Sequence, residues 1–246
     1  MNRRSDESTG DRPDDTPAEP GAAVLPERRV VRLLAMLTAA AGSLDAVCVT
    51  GLDGVFASVI TGNLVQLGRA LVALDGRLAA GATVAVGCYA LGVAAATAGL
   101  GRRGAGWYRR TSLIVTAELA LLAGVAGGWP ATEGHPGAGA GLLFLAAAGA
   151  AMGVQSAVTS SSGVPGASTT YLTGTLTGLA RALGGEPHRF AAAAAARLAA
   201  FLCGATAGAL LLRFAPLWAP VLPMVLVAAV VVTATAFIQE RVEESG

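Results

Sequence analysis

A stretch of eleven residues occurs twice in this chain. Thr61-Gly62-Asn63-Leu64-Val65-Gln66-Leu67-Gly68-Arg69-Ala70-Leu71 returns as Thr173-Gly174-Thr175-Leu176-Thr177-Gly178-Leu179-Ala180-Arg181-Ala182-Leu183, identical at seven positions and offset by 112 residues. Gly42 and Ala46-Val47 match Gly153 and Ala157-Val158 at an offset of 111, and Gly92 matches Gly204 at 112. The chain therefore reads as two copies of one unit of about 110 residues. Each copy carries a Thr-Gly-polar triplet within an apolar segment. In membrane proteins, paired interruptions at corresponding positions of two halves point to a binding site between them.

Composition sets the environment. Hydrophobic residues make up 54% of the 246 and charged residues 13%, with a mean hydropathy of +0.61; a soluble domain carries about 25% charge. Seven of the 16 acidic residues fall within the first 27, so the remainder is more apolar still. These values indicate a polytopic membrane protein whose principal partner is the lipid bilayer. A net charge of +1 implies no nucleic-acid partner. All 17 basic residues are arginine, which together with abundant Ala and Gly fits a GC-rich genome. Cys48, Cys88 and Cys203 lie in apolar runs without metal-site spacing, so no disulfide, metal or cofactor is expected. His135 and His188 lie in loops. The sequence carries no GxSxG, HExxH, P-loop or dinucleotide fingerprint, and an enzyme is not expected.

Residues 1–27 are polar and Pro-rich and read as a disordered cytoplasmic tail. Residues 28–127 and 138–238 form the two membrane repeats, and 239–246 a short charged tail. Eight apolar runs are visible, at 30–49, 55–74, 78–100, 111–126, 138–159, 167–183, 190–212 and 217–238. If all eight crossed the membrane, the loop with Arg102, Arg103, Arg109 and Arg110 would face outward and the loop 127–137, which has no Arg or Lys, inward. That opposes the positive-inside rule. If the second run of each half instead enters and leaves on one side, that loop, Arg181, Arg189 and both termini share the cytoplasmic face. Arg69, Arg77 and Arg213 are then the outward exceptions. Three full spans per half turn the second half upside down relative to the first. The expected architecture is thus an all-α helical bundle of two homologous halves, with six full spans and two short interrupted segments in an inverted repeat. Eight spans in parallel repeats is the alternative. Small residues such as Gly204-Ala205-Thr206-Ala207-Gly208 permit close helix packing, either inside one subunit or at a homo-oligomer face.

Polar residues inside the apolar runs are the candidate functional groups. Thr61, Gly62 and Asn63, with Thr173, Gly174 and Thr175, can open the backbone to bind a small solute or ion; equally, they can cap or kink a helix to shape the fold. Gln66 and Thr177 lie one turn further on, where they would line the same cavity. Asp45 is an intramembrane carboxylate, a functional candidate by default. Its repeat counterpart is Ser156, preceded by Gln155, and Arg197 is its natural ionic partner. Glu118 is a second intramembrane acid. Asp45, Glu118 and Arg197 are the candidates for proton or ion coupling.

Several of these motifs, taken in order, resemble a known family. Gly42-Ser43-Leu44-Asp45-Ala46, Gly54-Val55-Phe56-Ala57 and Thr61-Gly62-Asn63-Leu64-Val65 look like the first-half motif of the YoaK-like DUF1275 membrane proteins. Met152-Gly153-Val154-Gln155-Ser156-Ala157 and Thr169-Thr170-Tyr171-Leu172-Thr173-Gly174-Thr175 look like the second half, with Ser156 standing where an Asn is the family pattern. The resemblance spans residues 30–238 and implies a multi-pass protein of the bacterial plasma (inner) membrane, without implying an activity. From the repeated triplet and the intramembrane acid, the expected function is a small-solute permease or secondary transporter. A non-transporting sensor, assembly factor or partner of another membrane protein is the other class, favoured by the sparse polar lining.

Overall fold

The computed structural model describes residues 25–101, 105–164, 167–170, 172–185 and 191–243. The N-terminal tail up to residue 24, Arg102, Arg103, Tyr171, His188, Arg189 and residues 244–246 lie outside the described residues. Among the described residues eight α-helices follow one another: α1 Glu27–Gly51, α2 Ile60–Ala73, α3 Gly76–Leu100, α4 Arg109–Gly128, α5 Ala138–Ser160, α6 Leu172–Leu183, α7 Ala191–Phe214 and α8 Val221–Glu243. Single 3-10 turns extend α4 at Trp129–Thr132 and precede α8 at Pro216–Trp218.

Six of these helices, α1, α3, α4, α5, α7 and α8, are long and apolar enough to cross a bilayer. The other two are not: α2 has 14 residues and α6 has 12. At 1.5 Å per residue they rise only about 21 and 18 Å, short of a hydrocarbon core of about 30 Å. The chain around α2 turns back on itself. Asp53 and Gly54 take left-handed φ values of 56° and 79° and reverse the chain after α1. Residues 55–59 then return beside α1 without helical structure. Helix α2 runs back out, and Asp75 caps α3 by accepting from Leu78 N at 3.0 Å. Arg77 at the start of α3 pairs with Asp53 at 2.6 Å, so entry and exit share one face of the bundle. This excludes the eight-span alternative.

Contacts at the two membrane faces agree. On one face, Leu25 N donates to Trp107 O at 3.3 Å and Gly106 N to Ser161 O at 3.0 Å, joining the start of α1, the α3–α4 linker and the end of α5. Arg29 lies over the Phe237 ring at 3.1 Å, bringing the end of α8 to that same face. On the opposite face, Trp129 Nε1 donates to Pro216 O at 3.1 Å, joining the ends of α4 and α7. Both described ends of the chain therefore lie on one side.

The halves interlock. Helix α1 packs along α7, and its repeat counterpart α5 packs along α3; α4 meets α5 as α8 meets α1; α2 lies on α3 as α6 lies on α7. Exchanging each helix for its counterpart reproduces the pattern, which is the signature of a pseudo-two-fold axis. With three spans per half, that axis lies in the membrane plane. Helices α1 and α5 form the centre, each 67% buried over its most apolar window, against 17% for α7. Leu64, Val65, Leu71 and Val72 of α2 and Leu202 and Leu210 of α7 are exposed and face lipid.

Four glycines make the crossings possible. A Cβ at Gly42 would overlap the carbonyl oxygen of Phe201, and one at Gly204 that of Ala39. In the other half, Gly153 sits against the Tyr89 carbonyl and Gly92 against that of Ala150. The two sets correspond residue by residue through the repeat. Gly208 likewise meets the backbone of Ser43, so the small-residue face of α7 is used inside the subunit. In lipid, where apolar burial gives no net drive between helices, this backbone proximity is the source of attraction. Gly204→Ala and Gly153→Ala should each lower stability by about 1–3 kcal/mol, the usual cost of overpacking. Gly87→Ala, with open space around its Cβ, should be neutral or slightly stabilising because Ala favours the helix. Thermal unfolding of the three variants in detergent measures the difference.

Candidate functional site

The re-entrant segment of the first half carries backbone groups that no helix satisfies. At membrane depth such groups need protein partners. Val55 N donates to Leu52 O at 3.2 Å. The Asn63 amide pairs with both backbone groups of Phe56: Phe56 N donates to Asn63 Oδ1 at 2.9 Å, and Asn63 Nδ2 donates to Phe56 O at 2.8 Å. Ala57 N and Ser58 N both donate to Asp45 Oδ1 at 2.8 Å, and Ser58 Oγ donates to Asp45 Oδ2 at 2.5 Å. Gln66 Nε2 donates to Gly54 O at 2.9 Å. Every N–H from Val55 to Ser58 thus has a partner, and two side chains, Asn63 and Asp45, supply three of the four.

These contacts correct several sequence expectations. Thr61-Gly62-Asn63 does not interrupt a helix; it forms the first turn of α2, and the non-helical stretch lies just before it. Asp45 does not pair with Arg197, because its carboxylate is already occupied by Ala57 and Ser58. Among the described residues the ion pair is Arg77–Asp53. Gln66 and Asn63 face the re-entrant backbone, and Thr177 is exposed with its hydroxyl donating to Thr173 O at 2.9 Å.

The second half repeats the arrangement in neutral groups. Ser156, at the position of Asp45, accepts from Thr170 Oγ1 at 3.3 Å, and Thr170 stands where Ser58 does. Gln155 Nε2 donates to Thr169 Oγ1 at 2.7 Å and to Leu37 O of α1 at 3.1 Å. Thr175 replaces Asn63 and is buried, but one hydroxyl cannot reproduce a bidentate amide.

Between the two re-entrant segments lies a cavity of about 580 Å³, within the range of small-molecule sites. Its wall is built from repeat-related residues: Ser58 with Thr170, Ile60 with Leu172, Thr61 with Thr173, and Tyr89 with Phe201, each pair 112 apart. Tyr89 Oη lies 3.3 Å from Thr170 Oγ1. Helices α2 and α6 both begin at this cavity, so the partial positive ends of two helix dipoles meet there. Among the described residues no Asp, Glu, Lys, Arg or His lines it. Its polar character comes from hydroxyls, and its remaining wall is aliphatic and aromatic.

Of the sequence candidates, Thr61 and Thr173 share the cavity wall. Gly62 lies against Phe56, while Asn63, Gln66 and Gln155 act behind the wall. Gly174 and Thr175 belong to the first turn of α6 without lining the cavity. Glu118 is buried on α4, and neither carboxylate oxygen has a hydrogen-bond partner among the described residues. Arg197 is buried on α7 beside the wall residue Leu198, with Nε likewise unpartnered. Among the described residues no three His, Cys, Asp or Glu side chains gather to hold a metal. Ser58, Thr170, Tyr89 and Phe201 were missed by the sequence reading. Extending the repeat comparison from identical to similar residues would have found them, since Ser pairs with Thr and Tyr with Phe at the same offset.

Removing the acceptors should destabilise the fold. Asp45→Ala orphans two buried N–H groups and a hydroxyl, and Asn63→Ala orphans both groups of Phe56; each unsatisfied group costs about 1–3 kcal/mol. Asp45→Asn, which keeps an acceptor oxygen, should lose less than Asp45→Ala. Melting temperatures of the three purified variants give this ranking, and an Asp45→Ala protein as stable as the parent would contradict it.

A family model described as "Protein of unknown function (DUF1275)" matches residues 33–233 of this chain. No curated protein and no solved structure matches it.

Proposed function

The chain belongs to the DUF1275 family, and from that premise we propose that it is a small-solute permease whose pathway passes through the cavity between the two re-entrant helices. The observation that carries this reading is the cavity wall itself, built from the same positions of both repeats. A site on the pseudo-two-fold axis of an inverted repeat is reached equivalently from either side, as alternating access requires. Exposed hydroxyls replace the hydrogen bonds that a polar solute loses on leaving water. With no charged side chain on the wall among the described residues and two helix N-termini directed at it, cations are disfavoured and uncharged polar solutes are the fitting cargo.

The reading is tested with purified protein in liposomes. Permeability to small uncharged solutes, such as urea and polyols, and to alkali cations is followed by light scattering. Uptake of at least one uncharged solute above that of protein-free vesicles is expected, without cation leakage. Thr61→Val and Thr173→Val keep the shape and remove one hydroxyl each, and each should slow uptake roughly tenfold, the equivalent of about 1.4 kcal/mol for one lost hydrogen bond. Solute flux no greater than in empty vesicles, or unaffected in the double variant, refutes the proposal. Failure of transport together with isolation of one stoichiometric partner protein would favour a non-transporting role.

A further inference from the structure

A second cleft, of about 520 Å³, opens between the start of α4 and the end of α8. It lies on the membrane face that carries the start of α1 and the α3–α4 linker, apart from the re-entrant cavity. At its wall stand a cation, Arg109, and an anion, Glu243. The two are not paired with one another, and among the described residues neither forms an ion pair. Gln239 and the hydroxyls of Thr116 and Thr235 also line the cleft, deeper along the two helices than the charges, and Leu113 and Ile238 provide an apolar wall. Leu113 is 63% exposed, so the cleft is open toward lipid.

Each charge occupies the helix end least suited to it. Arg109 is the first residue of α4, where the dipole is positive, and Glu243 closes the described part of α8, where the dipole is negative. A ligand presenting an anion to Arg109 and a cation to Glu243 would relieve both. At the level of the lipid headgroups, a zwitterion joined to an acyl chain meets that description. We propose that this cleft binds the headgroup of an aminophospholipid such as phosphatidylethanolamine. Its phosphate takes the guanidinium of Arg109, which offers a forked donor geometry to phosphate oxygens. Its primary ammonium, a three-fold donor, takes the carboxylate of Glu243. Leu113 and Ile238 receive the start of an acyl chain. A phosphatidylglycerol offers no cation to Glu243, and a phosphatidylcholine offers a cation without N–H donors. This assignment is independent of transport.

The test uses the full-length protein, delipidated in detergent, with short-chain phosphatidylethanolamine, phosphatidylglycerol or phosphatidylcholine added. Bound lipid is counted by native mass spectrometry and affinity followed by thermal shift, since a ligand of the native state raises the melting temperature. Phosphatidylethanolamine should bind at least tenfold more tightly than the other two. Arg109→Ala should weaken all three, and Glu243→Ala should abolish the preference for the ethanolamine headgroup while leaving residual binding. Both residues are exposed, and a parent-like melting temperature without lipid verifies that the variants fold. Equal or tighter binding of phosphatidylglycerol, binding unchanged by either variant, or no bound lipid overturns the assignment.

Discussion

Everything in this bundle depends on how closely α1 approaches α7 and α5 approaches α3. A lipid bilayer supplies no hydrophobic force between helices, so attraction must come from short-range backbone contact. Gly42 and Gly204 allow it in one crossing, and Gly153 and Gly92 in the other. Because each crossing joins a helix of one half to a helix of the other, neither half is a separate packing unit. The small-residue composition that looked unspecific along the sequence is therefore what ties the two repeats into one body.

The same crossings position the re-entrant segments. Helix α1 carries Asp45 and α3 carries Tyr89, so the helices of these crossings hold both the lock on the returning chain and part of the cavity wall. The two locks differ in kind. The first uses a carboxylate and an amide against bare backbone, whereas the second uses hydroxyls and an amide from Ser156, Thr170 and Gln155. A charged acceptor binds its donors more strongly than a neutral one. The first re-entrant segment is accordingly the more firmly anchored side of a symmetric site. An intramembrane acid, costly when exposed to lipid, here offsets its own burial by closing backbone groups that would otherwise be equally costly.

Much of the architecture was legible from residue order. The offset of 112 announced two homologous halves, and the clustering of arginines around residues 102–110 against the loop 127–137, which has no Arg or Lys, selected six spans over eight. Thr61 and Thr173 could be named because they recur. What the sequence reading assigned differently were the partners of the polar residues. Asp45 and Arg197 looked like a natural pair because both are charged and embedded, yet the hydrogen bonds of Asp45 go to residues 12 and 13 positions away, across a chain reversal. Asn63 and Gln66 looked like cavity residues because one completes the triplet and the other follows it, yet their amides turn back toward Phe56 and Gly54.

By itself, then, the sequence determined the class of the molecule: a membrane-embedded, all-helical, two-fold repeated chain with a short polar element in each half. Periodic hydropathy, charge asymmetry and internal identity are local or statistical properties, readable without coordinates. The tertiary structure decided which polar groups serve the fold and which face open space. That division depends on where an extended segment lies when it returns through the bundle, because its unpaired N–H and C=O groups claim the nearest acceptors and donors first. The hydroxyls left over, such as those of Thr61 and Thr173, face the cavity between the segments.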